Sequence, residues 1–219
     1  MENQLASLGM EAEFIFDWDA DELTDEIVEH YFQTINILSP AQKSCALKHI
    51  LALEKIASSQ RQFNLVLEDD AVFLKAFPLG LQRALAESVQ IPGAKVVFIG
   101  SGSGRSFITP KSQRKQGQYL YPGNRGRYTD SYIIDSGTAQ KRLAWIKANK
   151  IYYPIDDQFD KIDLELGIKI LWLEDPVVEQ GSKTGMFDSA IESPPTAWLK
   201  RVLFNLKNLK RKYIYQLWR

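Results

Sequence analysis

Cysteine, histidine and long apolar runs are all scarce in this chain, and each scarcity removes a class of function. A single cysteine, Cys45, excludes an internal disulfide. It sits beside Ala46 and Leu47 in a predicted helix, where a buried small hydrophobe is expected rather than a nucleophile. The two histidines, His30 and His49, form no zinc-type Cys/His spacing with it. The start, Met1-Glu2-Asn3-Gln4, has neither a basic region nor an apolar core, so no signal peptide is expected. No uninterrupted apolar run is long enough to span a bilayer, and the reading is cytoplasmic. Internal repeats are absent. Gly100 to Gly104 has the composition of a phosphate loop but matches neither the Walker nor the dinucleotide pattern.

What is present is a core-forming composition with a hidden charge asymmetry. At 219 residues, 45% apolar and 11% aromatic, the chain suits one domain with an appendage and excludes global disorder. The formal net charge is zero, yet residues 193–219 hold Lys200, Arg201, Lys207, Lys210, Arg211, Lys212 and Arg219 with no acid. The body, 1–192, is correspondingly acidic, and Pro194-Pro195 marks where the tail begins. In the tail Trp198, Val202, Leu206, Leu209 and Tyr213 recur at helical spacing between basic residues. A basic amphipathic helix with tryptophans suits an anionic membrane surface. A helix packed on the domain, or coating an acidic face of the same chain, fits the pattern equally well. Nucleic acid is not expected as a partner, because no nucleic-acid fold motif accompanies the charge.

Along the body, a partial helix to about Leu8 precedes a turn at Gly9 and a predicted strand through Phe14-Ile15-Phe16. Ser39-Pro40-Ala41-Gln42 has the residues of a capping box with proline at the first helical position. Ala46, Leu47, Ile50, Leu53 and Ala57 then line one helical face. A helix is predicted from about Phe77 to Ser88, and a buried strand over Lys95 to Ile99. Residues 101–127 read as a polar loop whose cations, Arg105, Lys111, Arg114, Lys115, Arg125 and Arg127, suit anionic ligands or simple solvation. Thr129 to Ile134 reads as a strand, and Asp135 or Ser136 caps the following helix with Ala139, Leu143 and Ile146 inward. A short helix from Ile155 to about Leu164 and a strand from Ile168 to Leu173 follow. Strands alternating with helices imply a layered α/β sheet.

The stretch that speaks to chemistry is Phe63-Asn64-Leu65-Val66-Leu67-Glu68-Asp69-Asp70-Ala71-Val72. A short run of β-formers ends in three adjacent carboxylates, whose mutual repulsion calls for a positive partner. Oxygen-rich clusters of this kind suit Mg²⁺ or Mn²⁺ carrying a phosphorylated ligand. Read as extended backbone, Glu68 and Asp70 point to the same side. The alternative is a solvated acidic turn.

Several blocks together resemble glycosyltransferase family 25, which builds bacterial lipopolysaccharide and lipooligosaccharide. They are Leu38 through His49, the Leu67-Glu68-Asp69-Asp70-Ala71 block, Ser131-Tyr132-Ile133-Ile134 with Gly137-Thr138-Ala139, Pro154-Ile155-Asp156, and Pro176 through Gln180 with Ser189. The resemblance implies an α/β fold: a GT-A-like nucleotide-sugar-binding sheet flanked by helices. The family's usual first strand and Arg-rich turn lie upstream of the segment resembled by Leu5 to Gly9, so the expected sheet lacks that strand.

It further implies a UDP-sugar donor, most often UDP-galactose, a lipid-linked oligosaccharide acceptor, and transfer with inversion. Asp70 is expected to bind Mn²⁺ or Mg²⁺ with Glu68 as second ligand, and Asp69 to reach ribose or a metal-bound water. Asp156, followed by Asp157, is the expected base, although acids in a helix's first turn are also favoured simply by its dipole. His49, Gln180 and Ser101 in the glycine-rich loop are expected on the donor side. His49 equally suits a hydrogen-bonded core position, and Gln180 a backbone cap. The alternative function is a catalytically degenerate relative serving as a membrane-associated scaffold.

Overall fold

The computed structural model describes residues 1–102, 113–126 and 128–184, with positions 202 and 206. The boundary expected at residue 192, Ser189, Arg105, Lys111 and Arg127 lie outside these residues, as does the tail apart from Val202 and Leu206.

Five strands form a mixed sheet in the order β1-β5-β3-β6-β4. They are β1 (Asn64–Leu67), β3 (Lys95–Phe98), β4 (Leu120–Pro122), β5 (Ser131–Ile134) and β6 (Lys169–Leu173). Only β3 and β6 run parallel; β5 lies antiparallel between β1 and β3, and β4 lies antiparallel on β6. A separate two-stranded ribbon joins β2 (Ala71–Phe73) to β7 (Val178–Gln180).

Period-two alternation divides the core between the two faces of the sheet. Val96, Phe98, Tyr132, Ile134 and Trp172 face a cluster that includes Ala46, Leu47, Ile50 and Leu53 of α3 (Pro40–Ala57). Ala139 and Ile146 of α5 (Ser136–Asn149) and Ile155, Phe159 and Ile162 of α6 (Ile155–Leu166) complete that face. Val97, Ile99, Ile133, Leu171 and Leu173 face the other way, toward Phe77 and Ala84 of α4 (Phe77–Gln90). Two layers of helix therefore enclose the sheet, as the alternation of elements implies. No helix among the described residues is long and apolar enough to cross a membrane.

Local signals explain the helix starts. Ser39 accepts from the Gln42 N–H at 3.3 Å while the Gln42 side chain accepts from the Ser39 N–H at 2.9 Å. This reciprocal box satisfies two donors that the first turn leaves without intrahelical partners. Asp135, rather than Ser136, caps α5 by accepting from the Thr138 N–H at 2.7 Å. A left-handed Gly167 closes α6.

Several expectations need correction. Phe14 to Phe16 is not a strand: Phe16 stays 73% exposed, and the two phenylalanine rings stack on each other at 5.9 Å. With no sheet face to bury alternate side chains, the segment instead lies along α3, held by Lys48–Asp19 and Lys55–Glu13 ion pairs. Helix α2 (Asp25–Tyr31) was missed, although Thr24 caps it and Asp25 and Glu26 occupy its first turn. The 101–127 segment contains β4, whose Leu120 and Tyr121 are buried against β6. The α5 face that turns inward carries Arg142 as well as Ala139 and Ile146, with Leu143 only partly covered.

Arg142 is fully buried and pairs through two hydrogen bonds with Asp163 of α6, at 2.9 and 2.6 Å. Its guanidinium also lies 4.1 Å from the Phe159 ring centroid. That fork fixes α6 against α5, and with it the position of the α6 first turn.

Candidate active site

The strand register brings the acidic groups to one edge of the sheet. Leu67 pairs with Ser131, so the end of β1 meets the start of β5, and Phe98 pairs with Tyr132 beside them. Glu68 therefore meets Thr129 and Asp130, which precede β5. The Glu68 N–H donates to the Asp130 carbonyl at 2.9 Å.

The acid triplet is not extended, contrary to the expectation that placed Glu68 and Asp70 on one side by pleating. The Ala71 N–H donates back to the Glu68 carbonyl at 3.1 Å, closing a turn over Asp69 and Asp70. Chain reversal into β2 and pairing with β7 make the cluster instead. Asp70 is held by α7 (Gly181–Thr184): its carbonyl accepts from the Gly181 N–H at 2.8 Å and its Oδ2 from the Ser182 N–H at 3.1 Å. Asp69 is exposed at the turn.

Glu68 is the hub. Its Oε1 accepts from the Thr129 hydroxyl at 2.7 Å and lies 3.3 Å from His49 Nε2. Its Oε2 lies 3.5 Å from Gln180 Nε2. His49, buried in α3, has Tyr132 Oη 3.2 Å from its other ring nitrogen and is flanked by the Phe159 ring. Gln180 is the last residue of β7, with no partner for its Oε1 among the described residues.

Asp130 is the member that sequence reasoning missed. It is 1% exposed, and its Oδ2 accepts from the Ser131 hydroxyl at 3.1 Å while its Oδ1 has no partner among the described residues. Gly100 makes room for it, since a Cβ there would collide with Asp130 Oδ2 and come within 2.6 Å of Ser131 Oγ. A carboxylate immediately before a buried strand was the one available signal.

Burial raises the Asp130 carboxyl well above its ordinary value; the charge of Glu68 adds to this, the Ser131 hydroxyl opposes it, and Asp70 adds further. Burial likewise raises Asp70, against hydrogen bonding from Ser182 and with the charges of Glu68 and Asp69. Among the described residues Asp70 Oδ1 has no partner either. Asp70 and Asp130 are thus two half- to fully buried carboxylates that repel each other, each with one oxygen lacking a partner among the described residues.

Thr129 also lines a small neighbouring cleft. Phe98, Arg125, Tyr128, Asp156 and Asp160 also line it. Asp156 thus shares the cleft with Thr129. Asp157 instead lies 3.6 Å from the Arg125 guanidinium, and its side chain is 54% exposed. Asp160 also faces Arg125, at 3.7 Å, and accepts from the Gly126 N–H. Of the loop cations, Arg114 is paired with Glu174 at 2.7 Å. Ser101 is buried, with its hydroxyl donating to Glu179 rather than to the acid cluster. His49, Thr129 and Gln180 are therefore brought to Glu68, Asp70 is held two residues on by α7, Asp156 lines the cleft that Thr129 shares, and Asp69 and Asp157 are exposed.

A mixed α/β sheet thus carries acidic side chains at the end of its edge strand, beside a small cleft. The sequence matches the family model for glycosyltransferase family 25 (LPS biosynthesis protein) over residues 1–159. The chain belongs to glycosyltransferase family 25, and the family implies a sugar donor, an acceptor and a place in lipopolysaccharide biosynthesis. Glu68, Asp70, Asp130 and Asp156 all fall in the matched region, whereas Gln180 and Ser182 follow it. No curated protein matches the chain.

Proposed function

We propose that this chain is a GT-A-like, metal-dependent, inverting hexosyltransferase that moves galactose from a UDP-sugar to a lipooligosaccharide or lipopolysaccharide acceptor. The observation that supports the reading is a pair of carboxylate oxygens without partners among the described residues, Asp70 Oδ1 and Asp130 Oδ1, on groups that both feel the Glu68 charge. Asp70 and Asp130, with Glu68, are the residues that would hold Mn²⁺ or Mg²⁺. A dication bound there supplies charge stabilisation for the departing diphosphate.

The chain's own groups do the rest. Asp69, exposed at the turn, is available to the ribose. Thr129, His49 and Gln180 fix the Glu68 carboxylate by hydrogen bonding, so its orientation is set before a donor arrives. Asp156 lines the adjoining cleft and takes the proton of the acceptor hydroxyl as that oxygen attacks the anomeric carbon. The bond to UDP breaks on the opposite face, which inverts the anomeric configuration. Asp157, drawn toward Arg125, steadies the cleft wall rather than acting as base. The basic, tryptophan-bearing tail is the tether that holds the enzyme at an anionic membrane carrying its acceptor.

Asp70→Ala tests this directly. It removes turnover of the UDP-sugar while circular dichroism and the unfolding transition stay those of a folded protein; retained turnover refutes the assignment. Titration with UDP in the presence and absence of Mn²⁺ separates the enzyme from a non-catalytic scaffold. A metal-dependent gain in UDP affinity supports the enzyme, and no UDP binding at all supports the scaffold.

A further inference from the structure

Cys45 and His49 stand four residues apart on α3, a spacing that puts two side chains one turn apart on the same helical face. Glu68, at the end of β1, completes the group. The Cys45 Sγ, a His49 ring nitrogen and a Glu68 oxygen all lie within 4.8 Å of one another. The sequence contains no conventional zinc spacing, so the cluster exists only because the sheet edge is brought against α3.

We propose that Cys45, His49 and Glu68 form a binding site for a thiophilic divalent cation, zinc in the first instance, distinct from the oxygen-rich site at Asp70 and Asp130. Three features support it. The donor set is one thiol, one imidazole and one carboxylate, the ligand types zinc takes, and it leaves a fourth tetrahedral position for water. Ligand atoms around a tetrahedral zinc lie about 3.3–3.7 Å apart, from the usual bond lengths. His49 Nε2 and Glu68 Oε1 already stand at 3.3 Å, so the principal adjustment falls on the Cys45 side chain.

The third feature is the second shell. A metal-bound imidazole keeps its orientation by donating its other N–H to an oxygen. Tyr132 Oη, 3.2 Å from His49 Nδ1, is placed to receive it. Before binding, the Tyr132 hydroxyl donates to Nδ1 and the Nε2–H donates to Glu68. On binding, the imidazole proton shifts to Nδ1, the Tyr132 hydroxyl becomes the acceptor, and the thiol proton leaves to solvent. Without a cation the thiol stays protonated, since burial and then the nearby Glu68 and Asp156 charges raise its pKa. The same negative surroundings favour a dication once one arrives.

A soft ion with nitrogen and sulfur ligands selects this group, whereas Mg²⁺ prefers the all-oxygen cluster. Because Glu68 belongs to both, zinc bound here withdraws a carboxylate from the oxygen-rich site. This one consequence rests on the transferase reading: zinc lowers turnover, and Cys45→Ser removes that inhibition while keeping the basal rate.

The deciding experiment does not depend on activity. The full-length protein is titrated with Co²⁺ as a spectroscopic stand-in, then with Zn²⁺ by calorimetry, in the presence of excess Mg²⁺. One equivalent of Co²⁺ produces a near-ultraviolet thiolate-to-cobalt charge-transfer band, which zinc displaces. Cys45→Ser abolishes the band, and Tyr132→Phe weakens affinity by about 10–100-fold, the usual cost of losing a second-shell partner. Wild-type protein that gives no band overturns the proposal, and that measurement needs no variant to fold. So does a Cys45→Ser protein that binds zinc as tightly as wild type. If the band appears but no UDP-sugar turnover is found, the site stands and the transferase reading falls.

Discussion

Replacing Asp130 with asparagine puts the electrostatic account of the acid cluster at risk in one experiment. Asp130 retains 1% of its surface, its Oδ1 has no partner among the described residues, and burial, followed by the charges of Glu68 and Asp70, raises its pKa. Without a cation, keeping that group ionised in the fold costs free energy. An unsatisfied buried polar group costs about 1–3 kcal/mol, and a charged one more. Asparagine has nearly the same shape, carries no charge, and offers an N–H to the neighbouring carboxylates. In a chain of this size each kcal/mol moves Tm by about 2–4 °C, so Asp130→Asn raises Tm by about 2–10 °C in EDTA near pH 8.

With Mn²⁺ the order changes. A cation at one hundred times its Kd adds about 2.7 kcal/mol to the wild type, or about 5–10 °C, and little to the variant. The pH dependence follows with a definite sign. Burial raises Asp130 and Asp70 above the ordinary value of 3.8, so the folded protein holds protons that the unfolded chain has released. The stability this contributes is present below 3.8 and is lost as pH rises through the folded values. In EDTA the wild-type Tm therefore falls from mild acid toward neutrality, and the slope is shallower in Asp130→Asn. Differential scanning fluorimetry with and without Mn²⁺ measures all of this. A variant less stable than wild type in EDTA, or one that keeps the full Mn²⁺ shift, refutes the reasoning.

Three other expectations accompany it. Asp156→Asn lowers kcat by about 10²–10⁴-fold with little change in donor KM, whereas Asp157→Asn stays within a few-fold; steady-state kinetics that reverse this order exchange the two roles. Arg142→Met leaves Asp163 charged and buried, costing about 3–5 kcal/mol by urea denaturation, and pairing it with Asp163→Leu recovers most of the loss. The full chain co-sediments with vesicles rich in anionic lipid and is released by salt, at about 1 kcal/mol per basic residue near the surface; a chain ending at residue 192 that binds equally well removes the tail from that role.

Elements announced by local chemistry were legible in the sequence. The Ser39–Gln42 box, the Asp135 cap and the β-branched run of β3 each depend on residues within one turn or one strand. Helix α2 was legible in principle, through Thr24 and the two acids after it. The acid triplet was legible as a charge anomaly, but its geometry was not, because a turn and the β2–β7 ribbon place its carboxylates. Asp130 escaped notice for the same reason. Its place just before a buried strand is the one local mark it carries, and its proximity to Glu68 comes from an antiparallel register between β1 and β5. Arg142 has no partner signal within its own helix, because Asp163 lies in the next one. The family's blocks named Asp70, Glu68, His49 and Asp156, while the contact of His49 with Glu68 depends on how α3 packs against the end of β1.

The hold of Gly181 and Ser182 on Asp70 carries a consequence for how the protein matures. The two ends of that contact are 112 residues apart, and pairings of such separation form late because loop closure must come first. During synthesis, which delivers the N-terminal part first, the acid turn leaves the ribosome well before the segment that clasps it. A nascent chain therefore passes through a stage in which β1 and the turn exist with Asp70 unclamped. Competence at this edge arrives only after residues 178–182 have docked.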